Sequence, residues 1–341
     1  LILWVWTTAF FAFYATRWVK AMRYFLPIYP FLILMAAYAL SRLVAIGQTA
    51  GRQRQGARVL EGRPEDLPGR IVRWAAIGAV LAVMLGTVAW GTGLFSIYTR
   101  PHTRIAASSW VYANIPHGSV VANEHWDWGL PLRIEGQDGF RATGVGPTFT
   151  GFTMEHYNED TPEKRAQLIS WLDQADYLFL ASNRLYGSIP RLPERYPMTT
   201  EYYRALFSGE LGFELAAQFT SYIKLGPFTF PDQETPFALM TPGWSAQSAT
   251  FPLALMSAEE SFSVYDHPDC LVFRKTAEYN HERTATVLNA VNLDDAQLWQ
   301  TPQEVTPQAV HRAHTVAFYG LLTLTAIVAL AGLVRPETNK E

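Results

Sequence analysis

Long apolar runs alternate along this chain with stretches in which polar and apolar positions interleave. Four runs have the length and freedom from charge of membrane spans: Leu1–Thr16, Tyr24–Leu40, Trp74–Phe95 and Thr315–Val334. The third is rich in glycine and alanine, which suits close helix packing. Between the second and third lies 41–73, with seven arginines and little apolar periodicity. Arginine-rich connections stay on the cytoplasmic side. The third span therefore leads out, 96–313 lies outside, and the fourth span returns to leave 335–341 in the cytoplasm. The short connection Arg17–Arg23 is then external.

The outer stretch reads as short elements. Thr103–Asn114 has helical spacing with Ile105, Trp110 and Val111 on one side. A turn at Pro116–Gly118 leads to a buried strand, Ser119–Asn123. Gly136–Gly151 is glycine-rich and irregular. Pro162–Gln174 is an amphipathic helix with Thr161 as its N-cap, followed by the strand Tyr177–Ser182. Thr199–Gly209 and Ala277–Val291 read as helices, Phe213–Tyr222 and Cys270–Lys275 as strands. Pro227–Ser261 reads as a long loop and Asn292–Gln308 as a polar connector. This alternation predicts an α/β domain with a small, mostly parallel sheet. The expected fold class is a polytopic α-helical membrane protein with an inserted extracytoplasmic α/β domain.

Composition sharpens this picture. The 341 residues are 49% hydrophobic, yet the mean hydropathy is near zero, because apolar spans and a polar middle average out. A net charge of −3 argues against nucleic acid as a partner. The single Cys270 excludes an internal disulfide framework and a cysteine-rich zinc site. The chain opens inside an apolar run with neither the basic start nor the cleavage site of a signal peptide. We read it as N-terminally truncated, with further spans and the catalytic residue upstream.

Two stretches carry candidate chemistry. The first is Arg17–Leu40, where Arg17, Lys20 and Arg23 precede Tyr24, Pro27, Tyr29 and Pro30 at the mouth of a span. Topology gives no reason for basic residues on the outer side, so they are either snorkelling to lipid headgroups or binding an anion. The second is Glu124-His125-Trp126-Asp127-Trp128-Gly129, directly after a predicted strand. Ligand sites in α/β sheets gather at such strand ends. Two indoles offer flat faces to a sugar or peptide, and Glu124 and Asp127 accept hydrogen bonds from hydroxyls or amides. The alternative is an aromatic loop that packs the domain on the membrane surface. The spacing of Glu124, His125 and Asp127 also leaves room for a divalent metal, the one cofactor considered. His267-Pro268 reads as a turn. The sequence contains no G-x-S-x-G elbow, no G-x-G-x-x-G and no P-loop.

The first stretch resembles the R-Y-x-L-P-x-x-P segment of polytopic GT-C glycosyltransferases, which take a sugar from a polyprenyl-phosphate carrier. Lys20, Arg23, Tyr24, Pro27 and Pro30 are similar to the protein mannosyltransferase and lipid A aminoarabinose transferase branches. HWDWG is similar to the WWDYG motif of oligosaccharyltransferase catalytic subunits. Trp126, Asp127 and Gly129 match it, Trp128 is a conservative change, and His125 departs. The resemblance implies a plasma-membrane transferase with an extracytoplasmic domain and an inverting displacement of polyprenyl phosphate. It further implies donor-phosphate contacts from Arg17, Lys20, Arg23 and Tyr24. Acceptor contacts are expected from Glu124, His125, Trp126, Asp127 and Trp128, the acceptor being protein, lipid or glycan. No catalytic residue is assigned within the chain. The rival expectation is a membrane-anchored carbohydrate- or peptide-binding module without catalysis.

Overall fold

The structure is a computed structural model that describes residues 2–16, 22–58, 67–134, 136–140, 143–145, 148–233, 251–252, 258, 260–294 and 296–297. Backbone alone is described at 43–44, 46–58, 67–70, 72–73, 76, 143–145 and 251–252. The expected span Thr315–Val334, and Arg17 and Lys20, lie outside the described residues. Two compact units divide the chain, one with its described residues within Leu1–Ala89 and the other Trp90–Trp299.

The first unit holds α1 (Ile2–Ala15), a 3₁₀ turn over Met22–Ile28, α2 (Tyr29–Arg58) and most of α3 (Leu67–Tyr98). Proline lacks an N–H, so Pro27 cannot sustain an α-helix there, whereas Pro30 sits in the first turn of α2, where that donor has no partner to lose. α2 continues to Arg58, well into the arginine-rich connection, because its Ala, Gln and Arg residues are good helix formers. Two stretches are long and apolar enough to cross a membrane by length and composition: Met22–Arg42, with mean hydropathy 1.6, and Ile77–Asn114, with 1.8. Their apolar side chains, such as Ile33, Leu85 and Val88, face outward. α1 is apolar but shorter.

The second unit begins with the end of α3, which stops where Arg100 returns its backbone N–H and its guanidinium to the carbonyls of Ile97 and Ser96. A cation at a helix C-terminus is favourable. Then follow α4 (Thr103–Asn114), β1 (Val120–Glu124), β2 (Thr143–Val145), β3 (Thr150–Met154), α5 (Pro162–Gln174), β4 (Tyr177–Leu180), α6 (Pro197–Phe207) and β5 (Phe213–Phe219). The chain continues through β6 (Ile223–Leu225), β7 (Phe228–Phe230), β8 (Phe251–Pro252), α7 (Glu260–Ser263), β9 (Cys270–Lys275) and α8 (His281–Asn289).

The main sheet runs β2-β3-β1-β4-β9-β5. β1 is parallel to β3 and to β4, while the pairs β2–β3, β4–β9 and β5–β9 are antiparallel. The sheet is therefore mixed rather than mostly parallel. Successive side chains of a strand point to opposite faces, and here both faces are apolar. Ala122, Leu178, Leu180, Leu271 and Phe273 meet Leu168, Leu172, Tyr203 and Phe207 of α5 and α6. Val121, Phe179, Val272 and Cys270 meet Ala107 and Val111 of α4. Each fully buried large side chain contributes about 1.5–3 kcal/mol of transfer free energy. The buried stripe of α4 is Arg104, Ala107, Ser108 and Val111, with Ile105 exposed; an ion pair described below draws Arg104 inward.

The glycine-rich stretch Gly136–Gly151, expected to be irregular, supplies β2 and the start of β3, and the expected long loop Pro227–Ser261 contains β7 and β8. Glycine explains the first: the Phe140 ring lies against both Gly129 and Gly151, where any Cβ would overlap it. Gly151→Ala should cost about 1–3 kcal/mol of stability by overpacking. Adding Phe140→Ala should recover part of that loss in denaturant unfolding. An equal cost in both backgrounds would show that the ring is not the obstacle.

Candidate functional site

β1, β3 and β4 end at one edge of the sheet, where β5 also ends and β9 begins. That edge collects the loops 124–129, 155–160 and 181–188. Asn123 closes the first loop: its amide donates to the Leu130 carbonyl at 2.8 Å and accepts from the Leu130 N–H at 2.7 Å.

Within this clasp the side chains alternate. Trp126 and Trp128 stand 68% and 70% exposed, whereas Asp127 between them is buried. Its Oδ1 accepts from Arg104 Nη2 at 2.5 Å and from the Trp128 N–H at 2.8 Å, and the Ser182 hydroxyl donates to Oδ2. Asp127 thus ties the loop to α4 and to the end of β4. Trp126 has φ of 68°, a left-handed conformation that disfavours a bulky side chain by about 1–3 kcal/mol. Two contacts hold it there. The Arg184 guanidinium donates to the Trp126 carbonyl, and the Trp126 ring meets Tyr157 edge-to-face at 5.7 Å. Arg184 is itself fixed by Glu260 at 2.7 Å.

Glu124 points into the domain, where Tyr203 donates to Oε1 at 2.5 Å. Burial, reinforced by the charge of Asp127 and opposed by the Tyr203 hydrogen bond, raises its pKa from 4.5 to about 8, so it is a neutral acid at pH 7. His156 Nε2 lies 4.0 Å away, and burial holds that imidazole neutral too. His125 is half-buried; its Nδ1 accepts from the His156 N–H at 3.0 Å, and burial lowers its pKa. Of the five loop residues expected to meet an acceptor, Trp126 and Trp128 present their rings to solvent, while the Glu124 and Asp127 carboxylates serve internal partners.

Tyr157 also lines a groove of about 750 Å³ shared with Glu155, Asn158, Glu159, Glu163 and Trp171. The Lys164 ammonium at its edge turns inward to Asp160, Thr199 and the carbonyls of His156 and Asn158, all at 2.6–2.7 Å. The groove is therefore acidic, with aromatic walls.

A second buried polar group was missed by the sequence reading. His267 Nε2 lies 2.6 Å from Asp232 Oδ2, and Gln233 bridges the His267 carbonyl and the Asp269 N–H. Tyr222 donates to Asp269 at 3.1 Å, and burial raises the Asp269 pKa well above the usual carboxylate range. Thirty-five residues separate the Asp232–His267 pair in sequence, so no local spacing signals it. Among the described residues, no three His, Cys, Asp or Glu side chains are grouped to hold a metal ion.

In the first unit, Tyr24 stacks on Tyr14 at 5.7 Å and the Arg23 guanidinium lies 5.4 Å from the Tyr24 ring centre. Compared with known proteins, the chain matches no family model, no curated protein and no solved structure.

Proposed function

We propose that this chain belongs to a GT-C type membrane glycosyltransferase that moves a sugar from a polyprenyl-phosphate donor to an extracytoplasmic acceptor with inversion. The observation that carries the reading is the loop Glu124–Gly129. It is a strand-end platform with two exposed indoles, braced from behind and opening beside Tyr157 toward a groove within the size range of ligand pockets. Indole faces suit the C–H faces of a sugar or a peptide, and the acidic groove favours a neutral or cationic acceptor over an anionic one. Arg23 and Tyr24, with Arg17 and Lys20, are the donor-phosphate ligands of this proposal, since charge-assisted hydrogen bonds are the natural stabiliser of a leaving phosphate. Its setting is the plasma membrane, with lipid as a partner.

One observation favours the rival, a membrane-anchored sugar- or peptide-binding module: the loop's own carboxylates are buried, leaving aromatic faces rather than acids toward solvent.

Radiolabelled sugar transfer from polyprenyl-phosphate donors, in membranes carrying the full-length open reading frame, separates the two. Arg23→Ala should lower kcat/KM for the donor by about one to two orders of magnitude. Trp126→Ala with Trp128→Ala should raise the acceptor KM and leave donor use unchanged. Absence of transfer from every lipid-linked sugar by the folded, inserted protein, with glycan or peptide binding retained, would select the module.

A further inference from the structure

The second unit carries exposed aromatic side chains that follow one another through bonded contacts. Tyr98, the last residue of α3, is 60% exposed and hydrogen-bonded to Asp266. The neighbouring Tyr265 is also 60% exposed, and its carbonyl lies 3.0 Å from His102 Nε2. Arg184 stacks 5.8 Å from the Tyr265 ring and donates to the Trp126 carbonyl, which brings the tryptophan loop into the same series. Phe262, on α7, is exposed beside them.

The hairpin β6–β7 extends this face along the apolar helix. Its Gly226-Pro227 turn, with Gly226 at φ 58°, joins two strands in which the apolar Ile223, Leu225, Phe228 and Phe230 alternate with Lys224 and Thr229. The Lys224 N–H bonds Ser96 Oγ at 2.9 Å, and Phe230 meets Trp90 edge-to-face at 6.1 Å. The hairpin thus lies beside Trp90–Ser96, inside a stretch without a charged residue from Trp74 to Thr99. Phe228 and the Lys224 side chain are exposed on it.

Exposed aromatics gathered on neighbouring, mutually bonded segments in this way mark an interaction surface. Tyrosine and tryptophan concentrate in the headgroup layer, where an apolar ring and a polar tip are both accommodated, and lysine can reach from apolar surroundings to phosphate. We propose that this face, from Tyr98 and Phe228 through Tyr265 to the tryptophan loop, rests in the headgroup layer of the phospholipid bilayer that α3 crosses. The occupant is lipid rather than protein because the face is continuous with an apolar helix of membrane-spanning length. The inference rests on the membrane placement in the proposed function and adds that the acceptor platform works at headgroup depth, where a lipid-linked donor presents its phosphate.

The sole cysteine makes this testable. In a Cys270→Ser background, nitroxides at Phe228→Cys, Tyr265→Cys, Leu85→Cys and Glu282→Cys would be compared in phosphatidylcholine–phosphatidylglycerol vesicles. The readout is collision with oxygen relative to a water-soluble nickel chelate. Glu282, exposed on α8, lies toward the opposite edge of the sheet and reports aqueous exposure. We expect ratios at 228 and 265 several-fold above that at 282 and below that at 85, in the middle of α3. A lipid value at 85 with aqueous values at 228 and 265 would overturn this inference alone. An aqueous value at 85 would overturn the membrane placement with it. All four positions are exposed, so the labels leave the core intact.

Discussion

Replacing Glu124 with glutamine should make the protein more stable at alkaline pH and remove most of one pH dependence. In the folded state burial keeps this carboxyl protonated up to about pH 8, whereas an unfolded glutamate ionises near 4.5. Between those values the native state binds the extra proton, so raising the pH favours unfolding. The loss accrues at about 1.4 kcal/mol per pH unit and totals roughly 5 kcal/mol by pH 8, after which it stops growing. Below 4.5 both states are protonated and the contribution is constant. Glutamine preserves the shape and the acceptor for Tyr203 without a titrating proton. Denaturant unfolding of the full chain in micelles at pH 5, 7 and 9, followed by tryptophan fluorescence, should show a flatter profile for Glu124→Gln. Its advantage should be largest at pH 9. Parallel profiles for the two proteins would mean that Glu124 is ionised in the folded domain.

Asp127→Ala should cost about 3–5 kcal/mol, because it strands the Arg104 guanidinium inside the domain. The damage should reach beyond the loop, since Asp127 also receives the Ser182 hydroxyl and the Trp128 N–H. Arg104→Met in the same chain should return part of the loss by replacing an unpaired charge with an apolar side chain of similar length. A cost below about 1 kcal/mol in thermal unfolding would show that the pair is solvated, as surface pairs are. A functional consequence follows. Loss of activity in Asp127→Ala would report collapse of the platform rather than loss of an acceptor contact, so acceptor binding is better tested at Trp126 and Trp128.

The elements most legible in the sequence were those whose local signals agree with their tertiary setting. Pro162–Gln174 was bounded to the residue because Thr161 caps it, accepting from the Lys164 N–H at 3.2 Å, and proline opens it. Cys270–Lys275 was equally plain as an apolar strand between turns. β3 was hidden because Gly151 must lack a side chain to admit Phe140, and glycine reads as loop. Arg104 misled the choice of buried face on α4, since its partner lies twenty-three residues away. The loop 124–129 was found as a motif, but alternating exposure between its indoles and its acids depends on contacts with α4, α6 and β4 that no spacing reveals. The Asp232–His267 pair has the same origin in long-range packing.

Cys270 has one more use. It lies at the start of β9, between β4 and β5, fully buried against the Ala181 carbonyl, and burial pushes its thiol up to about 12. Both the missing thiolate and the missing access make it inert to alkylation while the sheet is closed. Modification then waits for β9 to part from β4 or from the edge strand β5, so the rate at which a thiol reagent consumes the protein is a clock for that opening. The chain carries this clock without any engineering, and each substitution discussed above that leaves Cys270 in place can be timed by it.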